Sequence, residues 1–138
     1  MLSVFLDTNI LIYSIGTAMD ETAKTAKAIA LLERDDCVLS VQVLQEFYVQ
    51  ATRASRLTPL PHKAATDLIR TWLRFQIQDN TLSVFQNALT IRATHGFSYW
   101  DSNIVASAIA AGCTDLYTEN LSHGRQIESV RIINPFRS

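Results

Sequence analysis

Three acidic residues, Asp7, Glu46 and Asp101, stand in this 138-residue chain at positions that chemistry could use. Asp101 heads the series Asp101, Ile104, Val105, Ala108 and Ile109, whose spacing is that of a core-facing helical stripe. It also falls in the helix's first turn, where the backbone dipole favours an anion. Two readings stay open. Ser98-x-x-Asp101 matches a capping box, or the carboxylate serves a site. Asp7 ends the apolar run Leu2–Leu6 and is either a turn or cap residue or a second functional acid. Glu46 shares a polar stripe with Gln42, Gln45 and Arg53, opposite Leu44, Phe47, Tyr48 and Ala51. That periodicity sends Glu46 toward solvent, the ordinary place for a glutamate. A cleft is solvent too, so the position permits a site without requiring one.

Other chemistries fail on residue type or spacing. His62, His95 and His123 lack metal-ligand spacing, and neither Cys37 nor Cys113 has a cysteine or histidine near it in sequence, which argues against zinc. There is no glycine-rich phosphate loop and no Gly-x-Ser-x-Gly elbow. Asn9 stands where an aspartyl-nucleophile phosphatase would need a second aspartate. Carboxylate chemistry is what remains.

The elements that must position these acids alternate along the chain. Leu2 to Leu6 and Cys37 to Leu39 read as buried strands, 77–79 as a brief one, and 115–118 and 130–133 as the last two. Between them the pattern predicts a short helix at 10–13 capped by Thr8 or Asn9, and a helix at 20–34 capped by Asp20 with Ala23, Ala26, Ala30 and Leu31 at helical spacing. Further helices are expected at 41–55 after a Ser40 cap, from Pro61 to about Phe75, at 83–95 with Phe85, Ala88 and Leu89 on one stripe, and at 99–111. Gly96 and Gly112 close the last two. Strands alternating with helices predict an α/β fold of one domain spanning residues 1–138. Its central parallel sheet of about four to five short strands would be covered by helices on both faces. Ligands of such sheets bind beyond the carboxyl ends of the strands, where Asp7, Ser40 and Glu119-Asn120 fall.

Composition narrows the class. An apolar share of 48% against 18% charged fits a folded chain. Two cysteines make no disulfide framework, no apolar run approaches the ~20 residues of a membrane span, and the N-terminus lacks a signal peptide's basic and apolar regions. A cytoplasmic protein is expected. The net charge of −1 conceals unevenness: residues 1–46 sum to −4, 47–100 to +4 and 101–138 to −1. The basic middle is either a phosphate-contacting surface or the ordinary charge of exposed helices.

Taken together, the motifs resemble the PIN domain family, and within it the VapC-type toxin ribonucleases. The matching residues are Phe5-Leu6-Asp7-Thr8-Asn9-Ile10-Leu11, Ser40 with Glu46-Phe47, Tyr99-Trp100-Asp101-Ser102 with Ala106, and Leu116 through Gly124. They run in the family's order over essentially the whole chain.

The resemblance implies a three-layer PIN-like fold and a Mg²⁺- or Mn²⁺-dependent endoribonuclease that cuts single-stranded or loop RNA, as the toxin of a type II toxin–antitoxin pair. Asp7, Glu46 and Asp101 would be its catalytic and metal-binding acids. Asp7 and Asp101 would bind directly, and Glu46 would bind or orient the attacking water. Many relatives carry a fourth acid where this chain has Asn120, which would position a water or substrate group through its carbonyl oxygen. Adjacent Glu119 would point the opposite way on an extended segment. Hydrolysis would leave a 5′-phosphate and a 3′-hydroxyl. Asn9, Ser40, Arg53, Arg56 and Ser102 are the expected substrate contacts, with Lys63 as a further base. Trp72 and Trp100 read first as packing residues and second as surfaces for stacking unpaired bases. A homodimer and a cognate antitoxin that blocks the cleft follow from the resemblance, and a membrane partner does not. The alternatives are a catalytically weak RNA- or protein-binding module, for which Asn120 speaks, and a nuclease of RNA maturation.

Overall fold

A computed structural model describes residues 3–137. Six strands form one sheet in the order β3-β2-β1-β4-β6-β5. They are β1 (Val4–Leu6), β2 (Cys37–Ser40), β3 (Gln76–Gln78), β4 (Asp115–Tyr117), β5 (Gln126–Ile127) and β6 (Val130–Ile133). Every pairing is parallel except β5 with β6. Six helices complete the fold: α1 (Thr8–Ser14), α2 (Thr22–Leu32), α3 (Val41–Thr52), α4 (His62–Trp72), α5 (Leu82–His95) and α6 (Tyr99–Ala110). The expected start of the first strand at Leu2 lies outside the described residues. No described helix is long and apolar enough to cross a membrane.

The strand order explains where a site can form. From β1 the chain steps one way to β2 and β3, then returns past β1 to β4 on its other side. The sequence direction therefore reverses between β1 and β4, which is the crevice-forming point of open parallel sheets. The register pairs Leu6 with Tyr117, so Asp7 and Thr118 leave the sheet side by side. Asp7 N–H bonds Tyr117 O at 3.0 Å and extends the ladder by one step. Phe5, Leu6, Leu39, Leu116 and Ile132 are buried in the sheet beneath them and make its base rigid.

Several local expectations need correction. Six strands replace four to five, because the two-residue β5 turns into β6 through Glu128, a non-glycine at φ 51° that gives no glycine signal. Asp20 does not cap α2: it lies in a single 3₁₀ turn (Met19–Glu21), and α2 begins at Thr22 without a side-chain cap. The buried face of α2 is Ala28, Leu31 and Leu32, while Ala23, Ala26 and Ala30 are exposed. Neither Thr8 nor Asn9 caps α1; Asp7 does. In α5 the core takes Val84, Ala88 and Ile91, and leaves Phe85 and Leu89 exposed beside Leu82. Helix α3 stops at Thr52, where Arg53 turns extended.

Candidate functional site

Asp7 is the N-cap of α1, and its extended backbone turns the carboxylate back over the helix start. Its Oδ1 accepts from Thr8 N–H at 2.7 Å, and its Oδ2 accepts from Thr118 Oγ1 at 2.8 Å. Only 5% of the residue is exposed. Burial pushes its pKa up to about 6 against those two hydrogen bonds, and the charges of Glu46 and Asp101 push the same way. Cap and candidate acid are thus the same side chain.

Glu46 reaches this acid from α3. Its Oε1 accepts from Thr8 Oγ1 at 3.2 Å and from Gln42 Nε2 at 3.2 Å. Burial, followed by the charge of Asp101, holds its pKa above the ordinary glutamate value. Glu46 is half-buried at the wall of a cleft, whereas Gln42, expected on the solvent stripe, is 3% exposed. The buried amide is tolerated because all of it is bonded. Gln42 Nε2 also donates to Trp100 O at 3.2 Å, and its Oε1 accepts from Asn103 Nδ2 at 2.6 Å. Asn103 Nδ2 in turn donates to Asn80 Oδ1 at 3.1 Å.

Asp101 comes from the first turn of α6. Its N–H bonds Ser98 Oγ at 3.1 Å, the forward half of the expected capping box. The return bond from Ser98 N–H is absent among the described residues, and the half-buried Asp101 lies close enough for its charge to raise the pKa of Asp7 and of Glu46. The structure therefore brings Asp7, Glu46 and Asp101 within mutual electrostatic reach. Among the described residues, no three acidic, histidine or cysteine side chains are grouped so that they could hold a metal ion between them as they stand. The donors are all carboxylate oxygens, which suits a hard cation. Mg²⁺ is commonly held by one or two carboxylates with waters completing the shell, so an ion here would rest on one or two of the three acids and on water.

The remaining expected residues divide. Arg53 lines the groove that Glu46 also lines, whereas Arg56 lines neighbouring grooves that include none of the three acids; Gln50 is common to all of them. Lys63 instead pairs with Asp67 on α4 at 2.8 Å, and Arg70 joins the same carboxylate at 2.8 Å. Arg74 lies over the Phe75 ring at the far side of the sheet's edge, so most of the basic middle is not gathered at the site. Ser40 and Ser102 are 1% and 0% exposed and offer no surface to an incoming chain. Ser40 Oγ is the cap of α3, bonded by Val43 N–H at 3.2 Å, while Ser102 Oγ has no partner. Asn9 links the ends of β1 and β4. It donates to Thr118 Oγ1 at 3.1 Å and accepts from Glu119 N–H at 3.3 Å. Asn120 is exposed, and its backbone N–H bonds Thr118 Oγ1 at 3.1 Å. Glu119 does point away, toward Tyr13 OH and Lys24 Nζ, each at 2.6 Å. Trp72 packs edge-on against Phe47, but Trp100 is 62% exposed and is not the packing residue expected.

Sequence reasoning missed Thr118, Thr8, Gln42 and Asn103. Thr118 is the hub: one fully buried hydroxyl donates to Asp7 and accepts from Asn9 and Asn120. Its place directly after β4, beside the end of β1, was the available signal.

Residues 4–126 match the PIN domain family. The chain belongs to that family. Solved structures of like fold include a toxin–antitoxin complex from Klebsiella pneumoniae, with a TM-score of 0.73 and 20% identity over 99% of this chain and all of that one. Mycobacterium tuberculosis VapC20, a sarcin–ricin-loop-cleaving toxin, gives 0.64 with 21% identity over 83% of this chain and 87% of its own. DNA-bound VapBC from Salmonella typhimurium gives 0.64 with 22% identity over 96% and 97%. No curated protein shows significant sequence similarity to the chain. At these identities the likeness is one of fold, and this PIN domain follows it from end to end.

Proposed function

We propose that this PIN domain is a Mg²⁺- or Mn²⁺-dependent endoribonuclease acting on unpaired RNA, and the toxin of a type II toxin–antitoxin pair. The reading is supported by the approach of Asp7, Glu46 and Asp101 near the reversal point of the sheet, close enough for the charges of Glu46 and Asp101 to raise the Asp7 pKa. Three anions drawn together in a partly buried crevice repel one another unless a cation joins them. When bound, the cation supplies Lewis acidity to the phosphodiester and lowers the pKa of water. Asp7 and Asp101 are its direct holders. Glu46, fixed through Oε1 by Thr8 and Gln42, keeps Oε2 without a partner among the described residues and orients the attacking water with it. Asn120 supplies a neutral carbonyl for a water or a substrate group. Arg53 and Arg56 meet the RNA phosphates at the groove edge.

The toxin assignment draws on the fold neighbours, which include toxin–antitoxin complexes and a toxin that cleaves the sarcin–ricin loop. A homodimer and a small antitoxin over the cleft belong to the same proposal. The exposed Leu82, Phe85 and Leu89 of α5 give apolar surface for one of them. Purified protein is expected to cut an RNA with unpaired loops in Mg²⁺ or Mn²⁺, and to stop on EDTA or on Asp7→Asn or Asp101→Asn. Cleavage that persists in EDTA, or survives both substitutions, overturns the mechanism. The exposed, uncharged Asn120 favours one rival, a binding module without turnover; absent metal binding together with absent cleavage would select it.

A further inference from the structure

We propose that the groove beside Glu46 is a nucleobase subsite in which one unpaired RNA base stacks on the indole of Trp100. This deepens the nuclease reading above and rests on it. The chain has two tryptophans. Trp72 lies in the core, 4% exposed, with its ring edge-on to Phe47 at 4.7 Å. Trp100 is 62% exposed although it directly precedes Asp101. A large aromatic ring left in water on a regular helix is not accounted for by packing.

The ring is braced on one side. Tyr99 meets it in a T-shaped contact at 4.9 Å, and Gln42 Nε2 bonds the Trp100 backbone carbonyl at 3.2 Å, which anchors the helix turn that carries it. A ring braced before binding has less freedom to lose when a base stacks on it. Because the same Gln42 amide also bonds Glu46 Oε1, it ties the platform to the acid.

The groove in front of Trp100 encloses about 330 Å³, within the range of small-ligand pockets. Its apolar wall is Trp100 with Val49, itself 56% exposed. Gln45 and Gln50 contribute amides, each with donor and acceptor for the edge of a base. Arg53, a partner for a phosphate, and Glu46 also line the groove. An aromatic face, edge-reading amides, a guanidinium and a candidate catalytic acid in one groove are the parts of a nucleotide subsite. A second copy of the chain could instead cover Val49 and Trp100, and the experiment separates the two.

The test follows tryptophan fluorescence of the full chain in EDTA, where binding proceeds without cleavage. Trp72 is enclosed, so a change reports Trp100. Short unpaired oligo(A) and oligo(U) should each quench the signal saturably, while inorganic polyphosphate, charged but without bases, should not. Trp100→Leu should weaken binding of fluorescein-labelled oligo(A) by roughly 5- to 150-fold, the usual worth of one base–aromatic stack, with Trp100→Phe retaining most of the affinity. In Mg²⁺ the loss should fall on KM and spare kcat. Four results overturn the subsite: RNA bound without quenching, equal quenching by polyphosphate, unchanged RNA affinity in a folded Trp100→Leu, or a dimer that Trp100→Leu splits while RNA affinity stays the same. Should Trp100→Leu fail to fold, the wild-type titration against polyphosphate decides. Cleavage without quenching fails the subsite alone. Base-dependent quenching without metal-dependent cleavage supports the subsite and fails the nuclease reading alone.

Discussion

Replacing Asp7 with asparagine should stabilise the metal-free protein at neutral pH, although it removes a proposed catalytic group. Burial holds the Asp7 pKa at about 6 in the fold, against 3.8 as its ordinary value. An acid raised in this way destabilises the fold as it ionises. The fold is least burdened below pH 3.8, loses stability as pH climbs to about 6, and stays burdened above. At ~1.4 kcal/mol per pKa unit the full cost is roughly 3 kcal/mol. Asparagine escapes it but gives back the hydrogen bonds at Oδ2, from Thr118 Oγ1 at 2.8 Å and, more weakly, from Asn9 Nδ2 at 3.5 Å. Thr118 Oγ1 already accepts from Asn9 and Asn120, so a new Nδ2 at the Oδ2 position finds no lone pair there. Subtracting about 1–2 kcal/mol for that loss leaves a net gain of about 1–2 kcal/mol, or roughly 3–8 °C in Tm for a chain of this size. Thermal melts in EDTA at pH 8 and pH 4 read the gain directly. Asp7→Asn should melt higher at pH 8 and lose that advantage at pH 4. Added Mg²⁺ should raise the wild type and leave the variant where it was. A variant that melts at or below wild type at pH 8, or a difference indifferent to pH, refutes the reasoning.

Thr118→Val keeps the shape but strips Asp7 of a donor and Asn9 and Asn120 of an acceptor. It should cost about 1–3 kcal/mol in urea unfolding, with no change in helix content by circular dichroism. Asn103→Leu leaves Gln42 Oε1 buried without its donor and should also cost about 1–3 kcal/mol. Because Gln42 holds Glu46, this variant should lose kcat more than KM in RNA cleavage. Glu119→Gln should leave Mg²⁺ affinity by calorimetry unchanged, since that carboxylate is turned toward Lys24 and Tyr13.

Strands β1 and β2 were readable because they are short apolar runs that end abruptly, as at Leu6-Asp7, and the helices because caps such as Ser40, Ser98 and Gly96 mark their ends. Periodicity failed where two apolar stripes compete on one helix. In α5 both Val84-Ala88-Ile91 and Phe85-Leu89 satisfy the pattern, and only the neighbouring α6 selects the first. It failed at Gln42 for another reason, because a polar residue goes inside once every donor and acceptor finds a partner, and those partners, Asn103 and Glu46, are distant or on another turn. The order of the three proposed acids along the chain was legible, and the structure sets them near one another. The groups that orient them were not legible. Thr8 and Thr118 gain their meaning only when the β1–β4 register sets the two strand ends side by side. Burial also divided the expected substrate contacts, closing off Ser40 and Ser102 while leaving Arg53 at a groove.

Titrating Mn²⁺ into metal-free protein, with free ion followed by electron paramagnetic resonance, probes the proposed shared cation most directly. Wild type should take up Mn²⁺ saturably, and Asp7→Asn and Asp101→Asn should each abolish that uptake. Their combination should do no further harm, as expected of two groups acting on one ion. Either single variant binding Mn²⁺ as tightly as wild type would contradict the convergence of these acids on a common metal.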